Sequence, residues 1–260
     1  MNVLIRGGGD LASGVALRLH HAGFKVAITE LAQPLAVRRA VSFSEAIYEG
    51  RWQVEDVIAQ RVDSPAEIPV VLKRNEIPVI VDPELSTVEQ IECAAVVDAR
   101  LTKQAVPYRL SPAPLIIGLG PGFTCGENCH AVIETQRGHT LGRVYWIGSA
   151  LADSGQPEGD ASRVLRAPCD GTLRSSARIG DHVEAGDIVA DVDNVPIHAP
   201  FKGVLRGLIR PGLTVSKGIK VGDLDARDDS SLCFTISEKA LAVGGGVLEA
   251  ILTQKHLTFR

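Results

Sequence analysis

The chain is poor in aromatic side chains, which make up 4% of its 260 residues, and it has a single methionine. Bases stack on aromatic faces, so a chain with so few such platforms is not built as a single-strand nucleic-acid binder. Basic charge is not in excess either. Lysine and arginine number 27 against 31 aspartates and glutamates, and the formal charge of −4 attracts no phosphate backbone. No unbroken apolar run approaches the roughly 18 residues that cross a bilayer. The first residues, with Arg6 close behind Val3 to Ile5, lack the apolar region and cleavage site of a secretory leader. These absences predict a cytoplasmic protein with no nucleic-acid partner and no membrane partner. The five cysteines (Cys93, Cys125, Cys129, Cys169, Cys233) are odd in number and dispersed, which suits reduced thiols better than a disulfide framework.

Hydrophobic residues at 45% and charged residues at 22% exclude the disordered and fibrous classes, and the length suits two domains with a core each. The most informative stretch is the first thirty residues. Val3-Leu4-Ile5 reads as a buried strand, a glycine cluster follows, and Leu11, Val15, Leu17 and Leu19 then suggest a helix packed on a sheet. Gly7, Gly9 and Ala12 match the spacing of a dinucleotide loop, whose missing side chains let backbone approach a pyrophosphate at a helix N-terminus. Gly7, Gly8, Gly9, Asp10, Leu11 and Ala12 are therefore candidate cofactor-binding residues. The second apolar run ends in Glu30, placed to accept hydrogen bonds from a ribose. On this reading the cofactor is NAD(P) or a similar nucleotide. The alternative is a tight strand-to-helix turn whose glycines serve packing alone.

Further along, Arg38 and Arg39 are either an anion site or a solvated, ion-paired face. The stretches 54–62, 79–81 and 95–101 read as strands, 66–74 as a helix and 87–92 as a polar helix. Their order implies a parallel sheet with helices on its faces. Asp82 and Asp98 stand at strand ends, as site residues or as turn caps. Residues 115–123 run into a second glycine turn containing Gly120 and Gly122, followed by Cys125, Cys129 and His130. These three suit a soft metal, a reactive thiolate or simply buried thiols, and their spacing matches no standard zinc site. His139 lies between Arg137 and Arg143 in a glycine-bracketed loop fit for proton transfer, or in a solvated turn.

Residues 154–160 are polar and turn-rich, and mark the domain boundary. Beyond them 164–187 is echoed by 195–218, an internal repeat of short strands punctuated by glycine. The A-P-x-x-G and G-x-x-V-x-x-G-D pattern of those repeats resembles the biotinyl/lipoyl barrel-sandwich hybrid. The hairpin Asp191-Val192-Asp193-Asn194 lacks the lysine that family modifies, so a docking or lid module is expected rather than a swinging arm. The predicted architecture is α/β: a Rossmann-like parallel-sheet domain over 1–155, a small all-β barrel-sandwich hybrid over 160–232, and a C-terminal helix over 233–260 packing back on the first domain.

The segments 6–14, 37–46, 118–123 and 134–143, with Val221-Gly222-Asp223-Leu224-Asp225 and the Gly244-Gly245-Gly246 tail, resemble the YqeB-type accessory proteins of selenium-dependent molybdenum hydroxylase systems. The first domain is also similar to the Rossmann part of xanthine dehydrogenase accessory proteins. The resemblance implies a maturation factor whose partners are a molybdenum hydroxylase client or its other maturation factors. It implies a phosphate-bearing ligand of the molybdopterin-nucleotide kind at the first glycine loop, with Gly120, Gly122 and Arg38 as further contacts. On the same reading Cys125 or Cys129 handles selenium or sulfur as a thiolate and His139 moves a proton. An NAD(P)-dependent oxidoreductase acting on a small molecule and a non-catalytic scaffold are the rival expectations.

Overall fold

A computed structural model describes residues 2–102, 104, 113–153, 155 and 160–258, with the side chains of 254–258 outside it. The chain forms two units that exchange segments: residues 1–34, 43–154 and 236–260 make the first, and 35–42 with 155–235 the second. The 154–160 boundary lies, apart from 155 and 160, outside the described residues.

The first unit is built on one nine-stranded sheet. Its strands are β1 (Asn2–Arg6), β2 (Lys25–Glu30), β3 (Arg51–Val54), β4 (Val57–Val62), β5 (Ile77–Val81), β6 (Ala95–Asp98), β7 (Ile116–Leu119), β8 (Ala131–Ile133) and β9 (Val144–Tyr145). They lie in the order β3-β4-β5-β2-β1-β6-β7-β8-β9. From β4 to β8 the pairing is parallel, and both edge pairs are antiparallel. Val3, Leu4 and Ile5 are almost wholly buried, as both faces of a central parallel strand require.

Helix α1 (Asp10–His21) follows β1; the others are α2 (Ala46–Glu49), α3 (Ile68–Lys73) and α4 (Glu238–Thr258). In α1, Asp10 in the first turn and Arg18, His20 and His21 in the last complement the helix dipole. Gly23, at φ +83°, lets the chain reverse just beyond its end. Helix α4 begins at Ser237, whose Oγ accepts from the Ala240 N–H at 3.2 Å. The two long helices cross at contact range of the backbone. A Cβ built on Gly14 would stand 2.6 Å from Ala240, and one on Gly244 2.7 Å from the Gly14 carbonyl oxygen. One described stretch, Ser230–Thr253, is long and apolar enough to cross a membrane. It escapes a search for unbroken apolar runs because glycines and polar residues interrupt it. Ala240, Val243, Val247, Ala250 and Ile251 within it are buried.

The second unit has two four-stranded antiparallel sheets. One takes β10 (Val164–Arg166), β17 (Lys220–Asp225), β15 (Gly203–Leu208) and β12 (His182–Val183) in that order. The other takes β14 (Val195–His198), β13 (Ile188–Val192), β11 (Gly171–Arg174) and β16 (Thr214–Val215). Each half of the sequence repeat, together with the strand that follows it, β13 or β17, thus gives two strands to each sheet. Asp193 and Asn194, at φ 47° and 70°, make the two-residue turn between β13 and β14. The segment 35–42 belongs to this unit: the Arg39 Nε donates to the Leu208 carbonyl at 3.1 Å, and Val37 lies where a side chain on Gly207 would go.

This architecture corrects the expected Rossmann-like parallel domain followed by a barrel-sandwich hybrid and a separate helix. The first sheet is mixed, with antiparallel edges, and the second unit is a pair of antiparallel sheets. Two local causes are visible. The expected single strand over 54–62 breaks at Glu55, whose φ of 51° turns the chain into the β3-β4 hairpin. The expected helix over 87–92 is one 3-10 turn, Ser86–Glu89, because the Asp82 carboxylate draws in the Ser86 and Thr87 N–H groups at 2.9 and 2.7 Å.

Charge is concentrated on β17. Asp223, 2% exposed, meets Arg163 and the Lys220 ammonium at 3.0 Å, while Asp225 is gripped by Arg227 through Nε at 2.9 Å and Nη2 at 2.5 Å. The Arg227 guanidinium, working against burial, holds the Asp225 carboxyl down at about 2. An unfolded aspartate titrates near ~3.9. The stabilisation is therefore complete above that value and is lost as pH falls through about 2. Asp225→Asn is expected to lower the denaturation midpoint at neutral pH, with the gap to the unaltered chain closing as unfolding is repeated toward pH 2. A gap independent of pH would refute the ion pair as its cause.

Candidate functional site

In an open α/β sheet, ligands bind beyond the carboxyl ends of the strands where strand order reverses. Here the chain runs outward from β1 through β2 to one side, and through β6 to the other, so that point lies between β1 and β6. The loop 7–9 and the turn 99–100 flank it. A Cβ on Gly7 would meet the Ala99 and Arg100 backbone at 3.5 Å, and Gly7 itself has φ +94°. Around this point stand strand-end residues. Asp98, fully buried, holds Arg100 through Nε at 3.0 Å and Nη2 at 2.7 Å. Arg6, 9% exposed, donates to the Pro83 carbonyl. Burial acts to raise the Asp82 carboxyl, but the Thr87 and Ser86 hydrogen bonds and the Arg6 charge together pull it below the usual range.

The glycine loop itself is divided. On one side Gly8 is closed in: its N–H donates to Glu30 Oε2 at 2.6 Å, and its carbonyl accepts from the Ser44 N–H at 2.9 Å and the Ser13 Oγ at 3.2 Å. Ser13 in turn accepts the Phe43 N–H at 2.8 Å. A side chain on Gly8 would run into the Ser44 backbone at 2.9 Å. On the other side Gly9 faces open space, and α1 starts there with no side chain capping it. Glu30 is engaged already, since Oε1 also accepts the Leu31 N–H at 2.7 Å; burial raises its carboxyl despite both hydrogen bonds.

The other candidate residues are not gathered here. Arg38 is in the second unit, where its Nη2 donates to the Leu232 and Thr235 carbonyls, each at 3.1 Å. Gly120 and Gly122 serve close packing. A Cβ on the first would strike the Thr135 hydroxyl at 2.4 Å, and one on the second the Gln104 carbonyl oxygen at 2.3 Å. Cys125 and Cys129 lie together on the crossover from β7 to β8, Cys129 fully buried and Cys125 half-buried. Burial pushes both thiols up, Cys129 to about 12, which weighs against a thiolate at neutral pH. His130 Nδ1 accepts the Ile116 N–H at 2.9 Å, and burial lowers its pKa. His139 sits in an exposed turn, with no hydrogen bond to either thiol among the described residues. Among the described residues no group of three or more His, Cys, Asp or Glu is placed to hold a metal ion.

What the sequence reading missed is Arg100, Ser13 and the closure of Ser44 over Gly8. Arg100 was within reach, as the cation two residues beyond a strand-end aspartate. The Ser44 contact joins segments far apart in the chain and leaves no local trace.

No protein-family model matches the chain. It is similar to the uncharacterized protein YqeB of Escherichia coli (strain K12), with 46% identity over 258 residues, 98% of this chain and 48% of that protein. The chain thus spans about half the length of the curated relative it matches. Among solved structures it is similar to an aspartoacylase family protein from Mesorhizobium loti, with 12% identity over 86% of this chain and 84% of that one and a TM-score of 0.27. It is also similar to the product-bound ectoine utilization protein EutE from Ruegeria pomeroyi, with 11% identity, 85% and 56% coverage and a TM-score of 0.25.

Proposed function

We propose that this chain is an accessory factor that holds a phosphate-bearing cofactor or nucleotide in the crevice between β1 and β6, in the maturation of a selenium-dependent molybdenum hydroxylase. The observation that carries the ligand half is the open ground before Gly9, at the uncapped head of α1 and at the reversal of strand order. Helix N-terminal amides there suit an anion, with Arg6 and Arg100 on neighbouring strand ends. The hydroxylase half, with its client enzyme and maturation partners, rests on the sequence resemblance alone, and the cytoplasmic location on composition and the dispersed cysteines. Of the two ligand classes, a molybdopterin-type nucleotide asks less of the site than NAD(P). A ribose hydroxyl reaching Glu30 has to share the carboxylate with the Gly8 and Leu31 N–H groups. That competition also weighs against a free-standing oxidoreductase.

Gly9→Asp tests the ligand site. Gly9 has extended backbone, φ −71° and ψ −171°, and aspartate is a favoured cap there. Stability is expected to rise by a few tenths of a kcal/mol, while the new carboxylate takes the same amides and cuts binding of a phosphate-bearing nucleotide about tenfold, measured by calorimetry. Unchanged binding would remove the site from Gly9. The scaffold reading has its own support in the closed side of the loop, where Glu30 and Ser44 already satisfy Gly8. Native mass spectrometry of the purified chain separates the two: a retained phosphate-bearing ligand supports the first, and client pull-down with no nucleotide binding supports the scaffold.

A further inference from the structure

The crossover between β7 and β8 carries two thiols that the ligand site does not use. Cys125 and Cys129 face each other in a parallel bridge, so their side chains leave the backbone on the same side. Partners in such a bridge have Cα atoms about 5 Å apart, inside the range of roughly 4.4–6.8 Å that a disulfide spans. Both cysteines are free. Each thiol influences the other's protonation, and Cys125 Sγ donates to the Tyr145 carbonyl at 3.2 Å. The loop is held in this shape by its own backbone. Gly126 N–H donates to the Cys129 carbonyl at 2.9 Å, Cys125 N–H to Gly148 at 2.9 Å, and the buried Asn128 clamps Thr124 and Gly122 at 2.8 and 3.0 Å. Closing a disulfide here takes side-chain rotation rather than a new loop.

We propose that Cys125 and Cys129 are a dithiol–disulfide couple that exchanges with a low-molecular-weight disulfide, Cys125 attacking and Cys129 resolving. The half-buried Cys125, as thiolate, attacks one sulfur of glutathione disulfide, and the first glutathione leaves as thiolate and takes up a proton. Cys129, having lost its proton, then attacks the Cys125 sulfur of the mixed disulfide and expels the second glutathione. Two protein thiols are oxidised and one disulfide is reduced to two thiols, so atoms and electrons balance. The order follows from exposure, since Cys125 is reachable and Cys129, packed with Ile116, Phe123 and Val132, is not. Because burial raises both thiols, exchange is slow near neutrality and accelerates as pH rises.

The full chain, folded, is incubated with glutathione disulfide at mildly alkaline pH, and its thiols are counted and mapped by peptide mass spectrometry. The expected result is the loss of two thiols with Cys125 joined to Cys129, and their return on reduction with dithiothreitol. Cys129→Ser is expected to stop at a Cys125–glutathione adduct. Cys169, half-buried with its Sγ on the Val192 carbonyl at 3.4 Å, goes no further than an adduct in either protein. A Cys125 adduct that persists with Cys129 intact would overturn the couple, as would two unreacted thiols or a linkage that forms only after unfolding. Should Cys129→Ser lose its fold by circular dichroism, the linkage map of the unaltered chain decides alone.

Discussion

Replacing Gly14 with valine is expected to lower the unfolding free energy by about 3 kcal/mol or more, the upper end for overpacking a closed core. The first carbon of any side chain at that position would lie 2.6 Å from the backbone and Cβ of Ala240. Backbone on both sides leaves no flexible side chain to move away, so α1 and α4 must separate. Gly244 and Gly246 are equally constrained, by the Gly14 carbonyl oxygen at 2.7 Å and the Gly142 carbonyl oxygen at 2.2 Å. Gly245, between them, has nothing within 4 Å of an added Cβ. Gly245→Ala should therefore gain about 1 kcal/mol from helix propensity, whereas Gly14→Val loses. Urea denaturation of the two variants reads both signs. A Gly14→Val protein with the midpoint of the unaltered chain would mean the helices do not cross there.

Glu134→Ala is expected to cost about 4 kcal/mol. This fully buried carboxylate accepts three backbone N–H groups, from Thr135 and Gln136 at 2.8 Å through Oε1 and from Leu151 at 2.9 Å through Oε2. Truncation strands the buried Thr135 donor and takes the charged acceptor from the amides of the exposed Gln136 and Leu151, and each such loss costs about 1.5–3 kcal/mol before relaxation and hydration. Glu134→Gln keeps one acceptor oxygen and turns an N–H donor toward the other amides, so an intermediate loss of about 2 kcal/mol is expected. Denaturant melts of the pair against the unaltered chain give the ranking. Equal midpoints for Ala and Gln would show that the carboxylate does not anchor these amides.

Local pattern carried the opening of the fold. The apolar triplet Val3 to Ile5, the glycine cluster and the run from Leu11 to Leu19 became β1, its loop and α1, because each signal acts within a few residues. Glu30 shows where such reading ends. Its place at the end of β2 is as read, but the donors it accepts are Gly8 and Leu31 of its own chain. An acidic residue at that spacing announces an acceptor without naming the donor. The β3-β4 hairpin escaped notice because its turn uses Glu55 and Asp56, with none of the glycine or asparagine that usually marks positive φ. The excursion of 35–42 was also hidden. Its anchors, Val37 against Gly207 and Arg38 on the carbonyls of Leu232 and Thr235, join residues that only the tertiary fold brings close. Gly120 and Gly122 were legible as a turn, and their bulky neighbours Thr135 and Gln104 were not.

The interleaving of the two units bears on the order in which the protein can come into being. Helix α4 is made after the whole of the second unit, yet it is the partner that α1, made before that unit, needs to cover Gly14. Until then the nascent first unit holds an uncovered helix face, while the second unit, complete at Thr235, can already have condensed around residues 35–42. The second unit is thus complete before the first, and a stop codon shortly after Thr235 would leave it tethered to a nine-stranded sheet whose helix α1 lacks its cover.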